Sequence, residues 1–355
     1  MVEASRRERH QVLRFYLAVL AAFGCGSPNA VPIVEARSTS TIAEPPKSGV
    51  CRRFEREPID VGIEHASALA LSIADICAIS DGKLVCRGRS HDAAASMRMP
   101  DAVRVAASNE RRVCALRSNA TLDCFDGEKR FDFRYLERTS GDMLRRAKDL
   151  VLDKDTLTLA MDDGSLRTVK IDVGTDERSE IVYAGFPSGT PPERPVRAMT
   201  IAHQIGGSAR CVLVGNREIC SSWRVHETME MPGPVVAIGG HCALLEDGRV
   251  ACFRVRTFEL GTPDVVATLH DATSIASDDG QGGCAITGDG RWTCFGDLGL
   301  VFSYGGIGPF QSPKTIATPE PVAEIAMNDG LACARTKSGR VSCFGCLELA
   351  GLGKR

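Results

Sequence analysis

The sequence contains short segments that begin and end with cysteine and carry a turn signal between the two thiols. In "CALLEDGRVAC" the cysteines are Cys242 and Cys252, and Asp247-Gly248 lies between them. Asp-Gly between alternating apolar residues is typical of a β-hairpin, because glycine tolerates the positive φ of the turn. Folding the segment about this turn places the cysteines opposite each other, with Cβ atoms about 4.5–5.5 Å apart. The segment therefore predicts a hairpin closed by a disulfide bond.

This arrangement occurs six times, with the second cysteine nine or ten positions after the first. The shorter spacing leaves a two-residue loop and the longer one a three-residue loop, so both keep the cysteines face to face. A seventh segment, "TLAMDDGSLRT", aligns on its Asp-Gly and has threonine at both cysteine positions, Thr158 and Thr168. Loss of both cysteines together is what a bonded pair predicts. The predicted disulfides are Cys77–Cys86, Cys114–Cys124, Cys211–Cys220, Cys242–Cys252, Cys284–Cys294 and Cys333–Cys343. Zinc is the alternative, but each hairpin offers only two ligands, at a spacing wider than that of zinc ribbons.

Cysteine usage and the N-terminal segment both indicate export. The chain has 15 cysteines in 355 residues, and paired thiols are rare in a reducing cytosol. Several arginines precede the short apolar run "FYLAVLAAFG", which suits a signal peptide over residues 1–24. "AFGC" resembles a bacterial lipobox, which predicts lipidation of Cys25 and a place in the periplasm, the outer membrane or the cell surface. Plain secretion is the alternative. Residues 25–57 are rich in Pro, Ser and Thr and are expected to form a flexible tether.

From residue 58 onward each hairpin follows a short apolar strand, such as "VVAIGG" before Cys242. Seven such units occupy residues 58–355, with a mean period close to the about 40–45 residues of a four-stranded propeller blade. No long amphipathic helical pattern is present. The sequence therefore predicts an all-β fold, a seven-bladed β-propeller with four-stranded blades and disulfide-stapled hairpins.

The units resemble the RCC1-like repeat, named after the regulator of chromosome condensation. "VVAIGGHCALLEDGRVACF" matches that repeat nearly throughout, and "CFG" at 294–296 and 343–345 has Phe where the repeat has Trp. The resemblance implies a seven-bladed propeller of the bacterial exported lipoprotein type. It does not imply one activity, since members include a nuclear exchange factor for a small GTPase and a secreted inhibitor of β-lactamases. The exchange function needs a cytosolic or nuclear GTPase and is not expected of an exported chain.

Two further cysteines, Cys51 and Cys346, remain after Cys25 and the six hairpin pairs are set aside. They flank the first and last units, and a propeller brings its chain ends together to close the ring. We therefore expect a Cys51–Cys346 disulfide at the closure.

The sequence predicts no catalytic, cofactor-binding or metal-binding residues. The net charge of −2 shows no basic excess, so no nucleic-acid partner is expected. "HETME" (226–230) lacks the second histidine of a metalloprotease helix, and the glycine patterns "GGIGPF" and "GLGK" do not open a helix after a strand, so no nucleotide is expected. His241 is expected to be structural. Asp162-Asp163 and Asp278-Asp279 are expected in turns, with calcium binding as the alternative.

The leading functional hypothesis is a binding scaffold that recognises a protein or ligand on one face of the propeller and has no enzymatic activity. The alternatives are a propeller-based hydrolase or lyase and a structural component of the envelope. Specificity is expected in the long connections 171–195 and 297–321, because binding residues concentrate on loops held by a rigid scaffold. The predicted partner-binding residues are Phe302, Tyr304 and Phe310. The alternative is that these aromatic side chains pack between blades.

Overall fold

The computed structural model describes residues 55–347 with internal gaps, at 73–74, 89–95, 100, 109–111, 120, 127–128, 131–145, 154–155, 172–180, 184–195, 205–206, 215–216, 222–225, 254, 257–258, 261, 267–268, 278–281, 297–312, 329 and 346. All thirty regular elements in these ranges are β-strands. They form seven four-stranded antiparallel sheets and one separate two-stranded hairpin. The predicted all-β, seven-bladed propeller is confirmed. Within the same ranges, no helix is long and apolar enough to cross a bilayer.

Each sheet is one blade, and its strands are given from the centre of the ring outward. Blade 1 has β2 (Ala66–Leu71), β3 (Asp75–Ser80), β4 (Lys83–Gly88) and β5 (Ser96–Arg98); blade 2 has β6 (Ala102–Ala107), β7 (Arg112–Arg117), β8 (Leu122–Asp126) and β9 (Lys129–Arg130). Blade 3 has β10 (Ala147–Asp153), β11 (Thr156–Met161), β12 (Leu166–Ile171) and β13 (Ile181–Tyr183); blade 4 has β14 (Val196–Gln204), β15 (Gly207–Val214), β16 (Arg217–Ser221) and β17 (His226–Glu230). Blade 5 has β18 (Val235–Gly239), β19 (Cys242–Leu245), β20 (Val250–Cys252) and β23 (Asp264–Val265), with the extra hairpin β21 (Val255–Arg256) and β22 (Glu259–Leu260) between its last two strands. Blade 6 has β24 (Ala272–Ser277), β25 (Gly282–Thr287), β26 (Trp292–Gly296) and β27 (Lys314–Ile316); blade 7 has β28 (Val322–Asn328), β29 (Leu331–Thr336), β30 (Val341–Gly345) and β1 (Glu55–Asp60).

Blade 7 is completed by the first strand of the chain. β1 pairs antiparallel with β30, and Ile59 lies opposite Cys343. The amide of Val341 donates to the carbonyl of Ile63 at 3.0 Å, and Asn328 Nδ2 donates to the carbonyl of Leu71 at 3.2 Å. The innermost strands contact each other in sequence around the ring, and the last contact joins β28 to β2. Hydrogen bonds between the two ends of the described chain therefore close the ring.

The core lies between neighbouring blades. At the junction of blades 6 and 7, Trp292 and Phe344 are both buried, with ring centroids 4.9 Å apart. At the junction of blades 1 and 2, Leu84 and Met99 pack with Phe125. Because side chains of a strand point alternately to its two faces, each blade contributes residues to two such clusters. The alternating apolar side chains of the hairpins thus fill the interfaces between neighbouring blades.

The glycines in the turns between the second and third strands contact the next blade as well as joining two strands. The carbonyl of Gly339 accepts a hydrogen bond from the amide of Ala66 at 2.9 Å, and Gly248 bonds Ala272 in the same way. Gly339 has a φ of +89°, and a Cβ built on it would lie 2.5 Å from the Ala66 nitrogen. Glycine is therefore required here for two reasons, the left-handed backbone and the close approach of the neighbouring blade.

The two ends of the ring differ in their connections. Because successive strands are antiparallel, the turn between the second and third strands and the link to the next blade meet at one end, here called the turn rim. The links between the first and second strands and between the third and fourth strands meet at the other end, here called the loop rim. The extra hairpin β21–β22 belongs to a loop-rim connection.

Candidate functional site

All six hairpin cysteine pairs form disulfide bonds, with Cα atoms 3.9–4.1 Å apart. The paired cysteines are directly opposite in the strand register, as for Cys242 and Cys252. This short Cα separation is typical of the non-hydrogen-bonded position of an antiparallel pair, where side chains approach most closely. Every one of these cysteines is almost fully buried. The predicted disulfide-stapled hairpins are confirmed.

In blade 3 threonine replaces both cysteines. Thr158 lies directly opposite Thr168, and their exposed fractions are 1% and 3%. The Oγ1 atom of Thr158 has no hydrogen-bond partner. The hairpin therefore keeps the geometry of the other six while burying a hydroxyl where they bury a disulfide.

We expect the double variant Thr158→Cys/Thr168→Cys to form a seventh disulfide and to gain about 2–3 kcal/mol in free energy of unfolding, as the chain-entropy model gives for a loop of about ten residues. The Thr158→Cys substitution also removes a buried hydroxyl that has no hydrogen-bond partner. Denaturant titration with and without prior reduction of this pair measures the effect. The single variants serve as controls and should show no gain. A free thiol at both positions after oxidation would contradict the prediction.

Glu218 in blade 4 is the residue that departs most sharply from the repeat. It lies two residues before the second cysteine of its hairpin, and its exposed fraction is 0%. The other six blades have apolar residues at this position: Leu84, Leu122, Leu166, Val250, Trp292 and Val341. One blade thus places a carboxyl group in a core that all the others fill with hydrocarbon.

The surroundings of Glu218 provide little compensation for its charge. Glu218 lies opposite Leu213, and on the same face Cys211 and Cys220 belong to an apolar cluster with Phe253. The Oε1 atom is 3.7 Å from the Cys220 sulfur, and the Oε2 atom has no hydrogen-bond partner. Burial raises the pKa of Glu218 well above its usual value, because the charged form loses its hydration.

Among the described residues, Cys211, Glu218 and Cys220 form a group of three potential metal ligands whose donor atoms lie within 4.8 Å of one another. Both sulfurs are bonded to each other, however, and a metal ion is bound by free thiolates. In the oxidised hairpin the group is therefore a disulfide next to a buried carboxyl group.

The histidines singled out in the sequence lie in structural positions. His241 is fully buried, and its ring meets that of Phe253 edge-on, with centroids 5.3 Å apart. The backbone amide of His241 donates to the Ser277 hydroxyl of blade 6 at 2.7 Å. "HETME" forms the outer strand β17. Asp162 and Asp163 lie in a turn, where Asp162 pairs with Arg146 and Asp163 accepts bonds from Ser165.

Polar side chains connect neighbouring blades where the innermost strands reach the loop rim. Ser277 of blade 6 donates to the carbonyl of Gly239 in blade 5, and the Gly240 amide donates to Thr200 Oγ1 of blade 4 at 2.8 Å. With the Asn328 bond to Leu71, these contacts satisfy backbone groups that the innermost strand edges expose. These residues therefore stabilise the ring.

A ring of exposed side chains occupies the turn-rim end of the innermost strands. Every innermost strand has a β-bulge at its second residue, which turns that side chain toward solvent. We call these seven exposed residues the bulge ring: Ser67, Val103, Lys148, Arg197, Val236, Thr273 and Ala323. Val103 and Val236, at 41% and 42%, are the exposed large apolar residues of the described chain. The bulge ring was not predicted, because a bulge depends on the pairing register, which the sequence pattern does not specify.

Several predicted functional residues lie outside the described residues: Cys25, Cys51, Cys346, Phe302, Tyr304 and Phe310. The predicted connections that were expected to carry specificity each contain a strand. β13 lies within 171–195 and β27 within 297–321. The end of β26 and the start of β27, between which residues 297–312 fall in the sequence, belong to the loop rim, on the opposite side from the bulge ring.

Comparison with known proteins identifies the fold alone. No family model matches the chain, and no curated protein matches it. Among solved structures, the β-propeller domain of Cps50 (Swd1) from Myceliophteria thermophila has a TM-score of 0.56 at 13% identity, covering 81% of this chain and 99% of its own. Hsv2 from Kluyveromyces lactis has a TM-score of 0.51 at 9% identity, covering 79% and 93%. PorZ, a bacterial surface component of the type-IX secretion system of Porphyromonas gingivalis, has a TM-score of 0.50 at 14% identity, covering 80% of this chain and 37% of PorZ.

Proposed function

We propose that this chain is an exported, lipid-anchored RCC1-like propeller that binds a protein or ligand at the cell envelope and has no catalytic role. The observation that carries the binding function is the bulge ring. The same backbone position in seven blades holds seven exposed side chains, of which two are large apolar residues and two are cationic. A closed ring fixes the backbone that presents these side chains, so little backbone entropy is lost on binding.

Support for export comes from the cysteines and from the N-terminal segment. Six buried disulfides suit an oxidising compartment. The apolar run before Cys25 has the length and flanks of a signal peptide. PorZ, which shares the propeller architecture, is a bacterial surface component, and this chain is proposed to lie in a comparable location.

Support for binding without catalysis comes from the charged groups near the bulge ring. Arg104 pairs with Asp149 across blades 2 and 3 at 4.0 Å, and Arg335 pairs with Glu324 at 2.8 Å. Arg335 also donates to the carbonyl of Ala66 in blade 1. Asp149 thus pairs across two blades, and Glu324 holds the guanidinium group that bonds blade 1, so both carboxylates have structural partners.

We expect the double variant Val103→Asp/Val236→Asp to lose at least tenfold in capture of the partner, because it places charge on the two apolar contacts of the bulge ring. The mature protein, immobilised and exposed to envelope extract, is cross-linked, and the cross-linked residues are identified by mass spectrometry. Ala323→Ser is the matched control on the same ring. Undiminished capture at unchanged thermal stability would place the interface elsewhere.

The loop rim is tested by the variant in which Phe302, Tyr304 and Phe310 are replaced by Ser. Loss of capture with unchanged melting temperature would assign binding to this connection, and a lower melting temperature would indicate packing between blades. If neither variant affects capture, or nothing is captured, the structural role in the envelope becomes the better explanation. Turnover of an envelope substrate by the mature protein would contradict the non-catalytic proposal.

Lipidation is tested by Cys25→Ala. We expect the native protein to partition into the detergent phase and the variant to partition into the aqueous phase, because removal of the thiol removes the site of acylation. Cys51→Ala is the control and should partition as the native protein does. A Cys25→Ala protein that still partitions wholly into detergent would contradict the lipid anchor and would leave another means of attachment to be found.

A further inference from the structure

The fourth hairpin differs from the other five disulfide hairpins in chemistry as well as in packing. In those five the position two residues before the second cysteine is apolar and carries no group that can give or take a proton at neutral pH. In blade 4 that position holds Glu218, whose Oε1 atom is 3.7 Å from the Cys220 sulfur. Its second oxygen has no partner, and the side chain is fully buried. The carboxyl group, Cys211 and Cys220 thus form a compact group of three side chains within the core.

The contact between Glu218 and Cys220 has a defined direction in the oxidised hairpin. A sulfur in a disulfide carries no hydrogen, so a hydrogen bond here requires the carboxylic acid as the donor. Burial favours this acid form, since it raises the pKa of Glu218. After reduction the direction reverses, because each new thiol carries an S–H group that can donate to the carboxyl oxygens. The reduced state therefore provides partners for an oxygen that lacks one in the oxidised state.

We propose that Cys211–Cys220 is the site of thiol–disulfide exchange in this protein, with Glu218 as the acid that protonates the departing Cys220 sulfur, and that its reaction partner is a dithiol reductant. The geometry assigns the role to this pair because Glu218 Oε1 lies 3.7 Å from the Cys220 sulfur, whereas the other five disulfide hairpins have an apolar residue at the matching position.

The reaction proceeds in two steps and transfers two electrons. A thiolate of the reductant attacks the Cys211 sulfur, the bond to Cys220 breaks, and the electron pair passes to the Cys220 sulfur, which takes the proton of Glu218. The second thiol of the reductant then loses its proton to water and attacks the reductant sulfur that is bonded to Cys211. Cys211 leaves as a thiolate, which is protonated by water. The products are two protein thiols and the cyclic disulfide of the reductant. Glu218 regains its proton from water.

Access to the sulfurs requires local opening, since the exposed fractions of Cys211 and Cys220 are 0% and 1%. β17 pairs with β16 along its length, and Glu227 lies opposite Cys220. Burial alone does not distinguish this pair, because the other five are equally covered. Relative rates within one molecule therefore separate the effect of Glu218 from the effect of burial.

Limited reduction of the native, full-length mature protein with dithiothreitol, followed by differential alkylation and mass spectrometry, gives the rate at each pair. Cys77–Cys86 is the matched reference, because it has the same sequence separation of nine and has Leu84 in place of Glu218. We expect Cys211–Cys220 to react at least tenfold faster than Cys77–Cys86. We expect Glu218→Gln, which keeps the shape but cannot supply the proton, to remove most of that difference.

Two further variants test the proposal in case Glu218→Gln does not fold. Glu218→Leu restores the apolar residue of the other blades and should slow Cys211–Cys220 to the reference rate. Leu84→Glu transfers the carboxyl group to blade 1 and should accelerate Cys77–Cys86. Equal rates at the two pairs in the native protein would overturn the proposal, as would a full rate advantage that persists in Glu218→Gln and Glu218→Leu.

Discussion

Glu218→Leu is expected to raise the free energy of unfolding by about 2–3 kcal/mol at neutral pH, since a buried unsatisfied polar group costs about 1–3 kcal/mol and a charged one more. The substitution also gives blade 4 the side chain that blades 1, 2 and 3 already have at this position, Leu84, Leu122 and Leu166. An apolar residue of similar volume removes the cost of burying this unsatisfied carboxyl group. Urea titration of both proteins at a series of pH values measures the difference.

The gain is expected to depend on pH in one direction. In the unfolded chain Glu218 ionises near the usual glutamate pKa of about 4.3, whereas in the folded chain burial raises its pKa. Below the unfolded pKa the carboxyl group is protonated in both states, so its charge costs nothing. Between the unfolded pKa and the folded pKa, Glu218 ionises in the unfolded chain but stays protonated in the folded chain. The free energy of unfolding of the native protein therefore falls as the pH rises through this range. The advantage of Glu218→Leu should therefore be smallest near pH 4 and largest above the raised pKa.

The exposed Glu246, in the turn of blade 5, provides the control. Glu246→Leu should change stability by a few tenths of a kcal/mol at most, as is usual for surface substitutions. An advantage of Glu218→Leu that is equal at pH 4 and pH 8 would show that the buried charge is not its source. A loss of stability would show that the Glu218 carboxyl group has a compensating partner.

Gly339→Ala is expected to lower the free energy of unfolding by about 2–3 kcal/mol, combining about 1–2 kcal/mol for a left-handed residue with Cβ and about 1 kcal/mol for a weakened hydrogen bond. The added Cβ would lie 2.5 Å from the Ala66 nitrogen and 2.7 Å from two atoms of His65, all of them backbone. Since backbone cannot rotate away, blade 1 would have to separate from blade 7. Thermal and chemical denaturation measure the loss.

Gly62→Ala isolates the backbone contribution. Gly62 also has a positive φ, +69°, but a Cβ built on it meets nothing within 4 Å. We expect Gly62→Ala to cost only the conformational penalty, about 1–2 kcal/mol. Equal losses of unfolding free energy in the two variants would mean that the Gly339 turn of blade 7 is not in close contact with blade 1, contrary to the distances given above.

The features that could be predicted from the sequence are those encoded within a single hairpin. The facing cysteines, the turn at Asp247-Gly248 and the alternation of apolar residues each depend on residues within about ten positions of one another. Their sevenfold repetition was enough to predict the number of blades. The threonine pair of blade 3 was likewise recognised from its alignment, and the register places Thr158 opposite Thr168.

The features that could not be predicted depend on contacts between blades. The close approach that requires glycine at Gly339 is made by blade 1, which is far away in the sequence. The bulge ring depends on the pairing register of each innermost strand with its neighbour. Glu218 is different, because its signal was present in the sequence. Aligning the seven hairpins shows one carboxylate among six apolar residues, and the repeat itself predicts that this position is buried.

The pairing of β1 with β30 sets the order in which the chain can assemble. Each blade except the seventh is made of strands that follow one another closely, so it can form soon after its residues are available. The seventh must bring Ile59 to Cys343 across almost the whole described chain, and contacts of such long range form slowly. Until they form, β30 is an unpaired edge, and an edge strand accepts a matching strand from any source. At high concentration that source includes the first strand of another molecule, so reciprocal exchange of β1 between two copies competes with closure of each ring.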